Sequence, residues 1–158
     1  ISELLRVADE IPVTINVTTT IALLKECGFI VGIMSDSYDC ITNHLKNRYS
    51  FDFSLANELE FSKSICTGEV RLPSFFLSHE SSVCNHKYCK THALTHICKH
   101  FNVPVSDTLA IGDGENDICM IKKSGIGVSF CSSNNMLDIV ADYIIKEPDF
   151  NLLIPIIQ

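Results

Sequence analysis

A short apolar run that ends in a glycine-rich acidic loop constrains the fold of this chain more than any other feature. Residues 109–112 read Leu-Ala-Ile-Gly, residues 113–117 read Asp-Gly-Glu-Asn-Asp, and an apolar segment follows. The apolar run predicts a buried strand, and the segment after the loop predicts the start of a helix. This order is typical of an open α/β fold, in which ligands bind at the carboxyl ends of the strands.

Two carboxylates of this loop, Asp113 and Asp117, lie four residues apart. One at the end of a strand and one on the first helical turn can converge on a single hard cation, and their oxygen ligands suit Mg²⁺. Gly112 and Gly114 are expected to leave room for a phosphate or a metal-bound water to approach the backbone. The alternative from the same residues is a Gly/Asn/Asp turn, with Asp117 as a favourable charge at a helix N-terminus.

Length, composition and charge limit the class of protein and its partners. At 158 residues and 46% hydrophobic content, the chain fits one globular α/β protein. The net charge of −7 argues against a nucleic acid or an anionic membrane as a partner. No apolar run approaches membrane-spanning length, and the first residues do not resemble a signal peptide. The eight cysteines are expected to be reduced, and the expected location is cytoplasmic.

Strand and helix patterns alternate along most of the chain. Helices are predicted at 2–10, from a Thr18-Thr19-Thr20 cap to Cys27, through 40–45, at 90–101, through 120 and around 136–140. Strands are predicted at 29–34, 53–61, 108–112, 126–130 and 143–146. Residues 62–68 are predicted to form a turn, and residues 71–89 an irregular surface excursion. The alternation predicts a parallel sheet with right-handed crossovers.

Two further polar residues lie where such a sheet would bring them to the edge that carries Asp113. Ser35 follows the predicted strand 29–34, and its hydroxyl and the next backbone N–H groups can hold a phosphate at a helix N-terminus. A simple helix cap is the alternative. Lys90 opens the helix that leads to the acidic strand and supplies a positive charge for a phosphate. A solvated surface lysine is the alternative there.

The order of Ser35, Lys90 and the loop from Asp113 to Asp117 resembles motifs two, three and four of the haloacid dehalogenase superfamily. Within it, the chain is most similar to the phosphoserine phosphatases. The resemblance runs through residues 29–35, 53–59, 67–70 and above all 108–131. It implies a Rossmann-like parallel sheet with flanking helices. It also implies an Mg²⁺-dependent phosphomonoester hydrolase that acts through an aspartyl-phosphate.

The resemblance implies a role for each motif residue. Ser35 and Asp36 fall at the site that binds the transferring phosphoryl group, and Asn116 would contact the phosphate. Lys90 would neutralise the phosphate and the nucleophile. Asp113 would ligate Mg²⁺ directly, and Asp117 would support the metal's water shell or Lys90. Lys90 and Asp113 are therefore the expected catalytic residues, Asp113 and Asp117 the expected metal site, and a small phosphorylated metabolite resembling phosphoserine the expected substrate.

The sequence departs from the family pattern at two places. Ser35-Asp36-Ser37 replaces the usual Ser-Gly-Gly and resembles the phosphoserine/homoserine phosphotransferase branch. The added Asp36 carboxylate would repel a phosphate unless it turns away or meets a cation. The family's first motif, Asp-x-Asp-x-Thr/Val, carries the nucleophile and the general acid/base and is absent from the chain. Asp9-Glu10 and the acidic residues at 36–39 have the wrong spacing or place.

The missing motif predicts that the chain is the carboxy-terminal portion of a longer protein, or is completed by another segment or chain. Residues 1–10 are then a remnant of a cap or linker helix, and residues 11–158 the core without its usual first strand and cap. That strand lies between the equivalents of strands 29–34 and 108–112 in the family, so its absence leaves backbone groups unpaired. The 158 residues alone are expected to be inactive. The alternative is a non-catalytic phosphate- or metal-binding or regulatory domain of the same fold.

The segment before the Lys90 helix is dense in soft metal ligands. It contains Cys84, His86 and Cys89, and His92, His96 and Cys98 follow within the helix. Common zinc sites use two pairs of ligands that are separated along the sequence, and this spacing lacks them. The segment is therefore better explained as a polar surface loop. Because His92 and His96 share a helical face, a Zn²⁺ site remains the less favoured alternative.

Overall fold

The structure, a computed structural model, describes residues 1–158 as two units. The first unit comprises Ile1–Pro73 and Asp149–Gln158, and the second comprises Ser74–Pro148. Each unit combines α-helices with a three-stranded sheet, and both sheets contain parallel strands. The α/β class predicted from the sequence is confirmed. None of the helices has both the length and the apolar character needed to cross a lipid bilayer.

The first unit is built on the sheet β1-β2-β3. Its elements are α1 (Ser2–Glu10), α2 (Val17–Glu26), β1 (Gly32–Tyr38), α3 (Asp39–Tyr49), β2 (Phe53–Ser62), β3 (Ile65–Arg71), a 3₁₀ turn (Phe150–Leu153) and α7 (Ile154–Ile157). Strands β1 and β2 are parallel, and β2 and β3 form an antiparallel hairpin. Helix α1 is tied to α3 because the Asp9 carboxylate contacts His44 and Arg48. The His44 hydrogen bond holds the pKa of Asp9 below its ordinary value.

Three local predictions for the first unit are wrong. Residues 62–68 are not one turn, because only Lys63 and Ser64 turn, both at positive φ, and β3 follows at once. Every residue of β3 is exposed, so its sequence lacks the alternation of apolar and polar residues that predicts a half-buried strand. The threonines predicted to cap α2 lie inside its first turn, with Asn16 at the N-cap. The strand predicted at 29–34 lies instead at 32–38 and extends past Ser35.

The second unit is built on the parallel sheet β4-β5-β6. Its elements are α4 (Lys90–Phe101), β4 (Leu109–Gly112), α5 (Ile118–Lys123), β5 (Ile126–Phe130), α6 (Asn135–Val140), β6 (Tyr143–Ile145) and 3₁₀ turns at Ser74–Phe76, Val105–Asp107 and Glu115–Asp117. Helix α5 connects β4 to β5, and α6 connects β5 to β6. Phe76, Ala93, Ile121, Val128 and Leu137 are buried and supply apolar core. Strand β4 therefore delivers its carboxyl end, and the acidic loop, to one edge of a parallel sheet.

Candidate active site

The acidic loop after β4 is shaped by the side chain of Asp117. This residue ends the 3₁₀ turn Glu115–Asp117, directly before α5. Its Oδ2 accepts hydrogen bonds from the backbone N–H groups of Asp113, at 3.0 Å, and Gly114, at 3.2 Å. Asp117 is only 3% exposed. A buried carboxylate that accepts two backbone hydrogen bonds fixes the path of the loop, because each donor would otherwise lose a partner.

Only glycine fits at position 112, because the Asp117 side chain occupies the space where a Cβ atom would lie. A Cβ atom on Gly112 would lie 2.4 Å from the Asp117 Cβ and 2.7 Å from its Oδ2. A Cβ atom on Gly114 would lie 2.9 Å from the Asn116 Oδ1. The room that the sequence predicts beside Gly112 is therefore absent on the side where a side chain would lie, and the approach of a phosphate or a metal-bound water to the backbone stays a prediction. The space is filled by a carboxylate of the same loop.

Lys90, the first residue of α4, forms a buried ion pair with Asp117. Its Nζ lies 2.7 Å from the Asp117 Oδ1, and the residue is only 8% exposed. A lysine is rarely buried without a partner, because desolvation of the ammonium is costly. The alternative of a solvated surface lysine is thus excluded. Both Asp117 oxygens have protein partners, namely Lys90 on one and the loop N–H groups on the other.

Asp113 presents its carboxylate to solvent while its backbone is held from both sides. Its N–H donates to Asp117, and its carbonyl accepts a 2.7 Å hydrogen bond from the Ser132 hydroxyl. The side chain itself is exposed. An exposed carboxylate on a fixed backbone fits Mg²⁺, which uses one or two carboxylates and keeps several waters. Asp113 is the better direct ligand of the two aspartates, because the oxygens of Asp117 already have partners.

Ser132 also belongs to this site, although no motif in the sequence singles it out. It is buried just beyond β5, and its hydroxyl also accepts a hydrogen bond from the Asn134 N–H. Lys146 donates to the Ser132 carbonyl at 2.9 Å and to the Asp138 carboxylate at 2.6 Å. The Lys146 hydrogen bond, followed by that of the Ser129 hydroxyl, holds the pKa of Asp138 below its ordinary value. The sequence feature that points to Ser132 is the polar run directly after the predicted strand 126–130.

Ser35 lies inside β1 and not at the start of a helix. Helix α3 begins only at Asp39, with Tyr38 at its N-cap. The prediction that Ser35 lies at a helix N-terminus, where backbone N–H groups could hold a phosphate, is therefore wrong. The Ser35 hydroxyl accepts a 3.0 Å hydrogen bond from the Ser37 N–H, and the register with β2 shifts between Met34 and Tyr38.

The predicted site residues are divided between the two units. The second unit holds four of them: Lys90, Asp113, Asn116 and Asp117. Asn116 is exposed on the same loop as the two aspartates. The first unit holds the other two, Ser35 and Asp36. Asp36 is exposed, and its carbonyl accepts a 2.9 Å hydrogen bond from the Asn57 side chain.

Comparison with known proteins gives one family match that covers most of the chain. A family model for haloacid dehalogenase-like hydrolases matches residues 41–151. The phosphoserine phosphatase of Methanocaldococcus jannaschii is 32% identical over 139 residues, which are 88% of this chain and 61% of that protein. The phosphoserine phosphatase of Streptococcus thermophilus is 32% identical over 85% of this chain and 58% of that protein. The chain thus spans about three fifths of these two curated relatives.

Solved structures show the same similarity. A phospho-aspartyl intermediate analogue of a phosphoserine phosphatase matches with a TM-score of 0.80 at 29% identity, over 97% of this chain and 68% of that one. A substrate-bound phosphoserine phosphatase matches with a TM-score of 0.74 at 29% identity, over 89% of this chain and 62% of that one.

Proposed function

The chain belongs to the haloacid dehalogenase-like hydrolase family, and we propose that it carries the Mg²⁺- and phosphate-binding part of a phosphomonoester hydrolase. Its similarity to phosphoserine phosphatases supports a small phosphorylated metabolite, such as phosphoserine, as the substrate. One observation carries the proposal. The buried Lys90–Asp117 ion pair adjoins a loop whose exposed carboxylate, that of Asp113, directly follows strand β4 of the parallel sheet.

Lys90 is the proposed charge-neutralising residue of the reaction. Phosphoryl transfer depends mainly on positioning and on neutralising the charge of the phosphoryl oxygens. The Lys90 ammonium is held at a fixed position by the 2.7 Å contact with Asp117. Because it is held before substrate arrives, little reorganisation is needed during the reaction. Asp117 is therefore a positioning residue that acts through Lys90 and through the loop backbone.

Asp113 is the proposed direct ligand of Mg²⁺. When bound, the cation supplies positive charge that offsets the charge of the phosphate and orients it. Asp117 contributes to the same site through the backbone, since it binds the N–H groups of Asp113 and Gly114. Ser132 holds the Asp113 carbonyl from the other side. The family motifs support Ser35, Asp36 and Asn116 as the residues that bind the phosphate.

The nucleophile of the proposed reaction comes from residues other than these 158. No Asp-x-Asp-x-Thr/Val sequence is present in the chain. In the proposed reaction a carboxylate oxygen attacks phosphorus and the substrate alcohol leaves with a proton from the general acid. Water then hydrolyses the aspartyl-phosphate and regenerates the carboxylate. The similarity to a structure of a phospho-aspartyl intermediate analogue supports this route.

A chimaera tests the proposal. The part of the Methanocaldococcus jannaschii relative that precedes its match is fused to the amino terminus of this chain. The chimaera is expected to release phosphate from phosphoserine when Mg²⁺ is present, and the 158 residues alone are expected to release none at an enzyme-like rate. Turnover by the 158 residues alone would contradict the external nucleophile. A folded chimaera without turnover would contradict the hydrolase proposal and favour the non-catalytic alternative.

A further inference from the structure

Four soft metal ligands converge in the second unit, apart from the carboxylates of the acidic loop. They are Cys84, His86, Cys89 and Cys119. One ligand atom from each residue, three thiol sulfurs and one imidazole nitrogen, lies within 4.8 Å of the other three. The first three residues belong to the irregular segment before α4, and Cys119 is the second residue of α5. The three cysteines are free of disulfide bonds.

The chemistry and the size of this cluster fit one metal ion. Structural zinc sites are tetrahedral, and three cysteines with one histidine are among their common ligand sets. A Zn–S bond of about 2.3 Å places tetrahedral sulfurs about 3.8 Å apart. The ligand atoms, which lie within 4.8 Å of one another, therefore need to approach by about 1 Å or less. His86 is exposed and Cys89 is buried, so the site is open to solvent on one side.

Neighbouring groups support the ligands from outside the cluster. The Thr91 N–H donates to the Cys89 Sγ at 3.5 Å, and Cys89 is the N-cap of α4. The His92 Nε2 lies 2.9 Å from the His86 carbonyl and 3.7 Å from the Cys84 Sγ. Such outer contacts orient the ligands of metal sites.

We propose that Cys84, His86, Cys89 and Cys119 bind one Zn²⁺ as a structural site. The sequence favours a polar surface loop in this segment, and its less favoured zinc alternative relies on His92 and His96. His96 stacks on Phe75, with ring centroids 5.5 Å apart, and Cys98 is buried elsewhere in α4. Cys119 takes the fourth place, although it is 30 residues from Cys89 in the sequence. A local sequence motif therefore could not include Cys119 as a ligand.

The proposed zinc site joins the two elements that carry the Lys90–Asp117 ion pair. Cys89 directly precedes Lys90, and Cys119 lies two residues after Asp117. A metal that binds both cysteines fixes the start of α4 relative to the start of α5.

Cobalt binding tests the proposal directly. The reduced, metal-free chain is titrated with Co²⁺, whose absorption reports tetrahedral geometry and thiolate ligands. We expect one Co²⁺ per chain, with thiolate charge-transfer and intense tetrahedral bands that Zn²⁺ abolishes and that excess Mg²⁺ leaves unchanged. No thiolate band in the reduced protein, or a stable disulfide within the cluster under reducing conditions, would overturn the proposal.

Substitutions locate the site. Cys84→Ser and Cys119→Ser should each lose the tetrahedral spectrum, whereas Cys66→Ser, at an exposed strand position, should keep it. Asp113→Asn should also keep it, which separates this site from the proposed Mg²⁺ site. Retention of the spectrum in Cys119→Ser would contradict the ligand set.

Thiol protection makes the test independent of variant folding. In the unaltered protein, Zn²⁺ should protect the three cluster cysteines from alkylation and leave Cys27 and Cys66 reactive, as read by mass spectrometry. Equal labelling of Cys119 with and without Zn²⁺ would overturn its assignment as a ligand.

Discussion

Lys90 and Asp117 link the helix α4 to the loop that presents Asp113. One oxygen of Asp117 contacts the ammonium of Lys90, and the other accepts from two backbone N–H groups. Every polar atom of this carboxylate therefore has a partner in a buried place, which is the condition for a stable buried charge. The exposed Asp113 depends on this arrangement for its position.

Replacing Lys90 with methionine should destabilise the protein. Lys90→Met keeps a long apolar side chain but leaves the buried Asp117 carboxylate without its cation. Removing one partner of a buried ion pair costs roughly 3–5 kcal/mol. Urea unfolding measures the change. Lys122→Met, at an exposed position of α5, is the matched control and should stay within about 0.5 kcal/mol of the parent. Equal stability of the two variants would contradict a buried ion pair.

Replacing Gly112 with alanine should also destabilise the protein, for a steric reason. The new Cβ would lie 2.4 Å from the Asp117 Cβ, so the loop must shift. Forcing extra volume into a filled space costs roughly 1–3 kcal/mol. In Gly114→Ala the new Cβ would lie 2.9 Å from the end of the exposed Asn116 side chain and 4.0 Å from the Asp117 Oδ2, an ordinary contact, so the change should cost less than about 1 kcal/mol. Thermal unfolding of both variants compares them, and a larger loss for Gly114→Ala would refute this packing.

At the level of elements, Lys146 and Asp138 connect α6 to the ends of two neighbouring strands. Asp138, in α6, accepts from the Ser129 hydroxyl in β5 and from Lys146, which directly follows β6. Lys146 also binds the carbonyl of Ser132, whose hydroxyl holds Asp113. This network therefore supports the acidic loop from the β5 side.

The network predicts an acid-dependent loss of stability. The Lys146 hydrogen bond holds the pKa of Asp138 below its ordinary value. A carboxyl whose folded pKa is lowered adds stability above its unfolded pKa, about 3.9, and loses it as the pH falls through the folded pKa. Asp138→Asn should thus lower the melting temperature at neutral pH, and the difference from the parent should vanish in strong acid. A difference that persists at low pH would argue against this ion pair.

Elements with strong apolar periodicity were predictable, and those without it were not. Helix α4 lies at residues 90–101 and β5 at residues 126–130, as the sequence predicts. Strand β3 was missed because all its residues are exposed. The length of β1 was misjudged because the strand extends through Ser35, Asp36 and Ser37, polar residues that favour a turn by their local chemistry.

For the whole molecule, the order of motifs predicted the family, whereas contacts between distant residues required the structure. The family resemblance predicts the Lys90–Asp117 contact as one of two roles for Asp117, because it places both residues in one site. The sequence does not predict the roles of Ser132 and Cys119, because each contacts residues that lie far from it along the chain. The domain boundary predicted at residue 10 stays a prediction.

We propose above that the loop after β4 is one part of a phosphomonoester hydrolase site, with Asp113 as its metal-binding carboxylate. The most direct measurement is phosphoserine hydrolysis by the chimaera with Asp113→Asn, against Asp107→Asn, an exposed aspartate of the same unit, as control. We predict that Asp113→Asn lowers the rate by roughly 100-fold or more at saturating Mg²⁺, and that Asp107→Asn leaves it nearly unchanged. Equal rates for the two variants would contradict the role of Asp113 as a metal ligand.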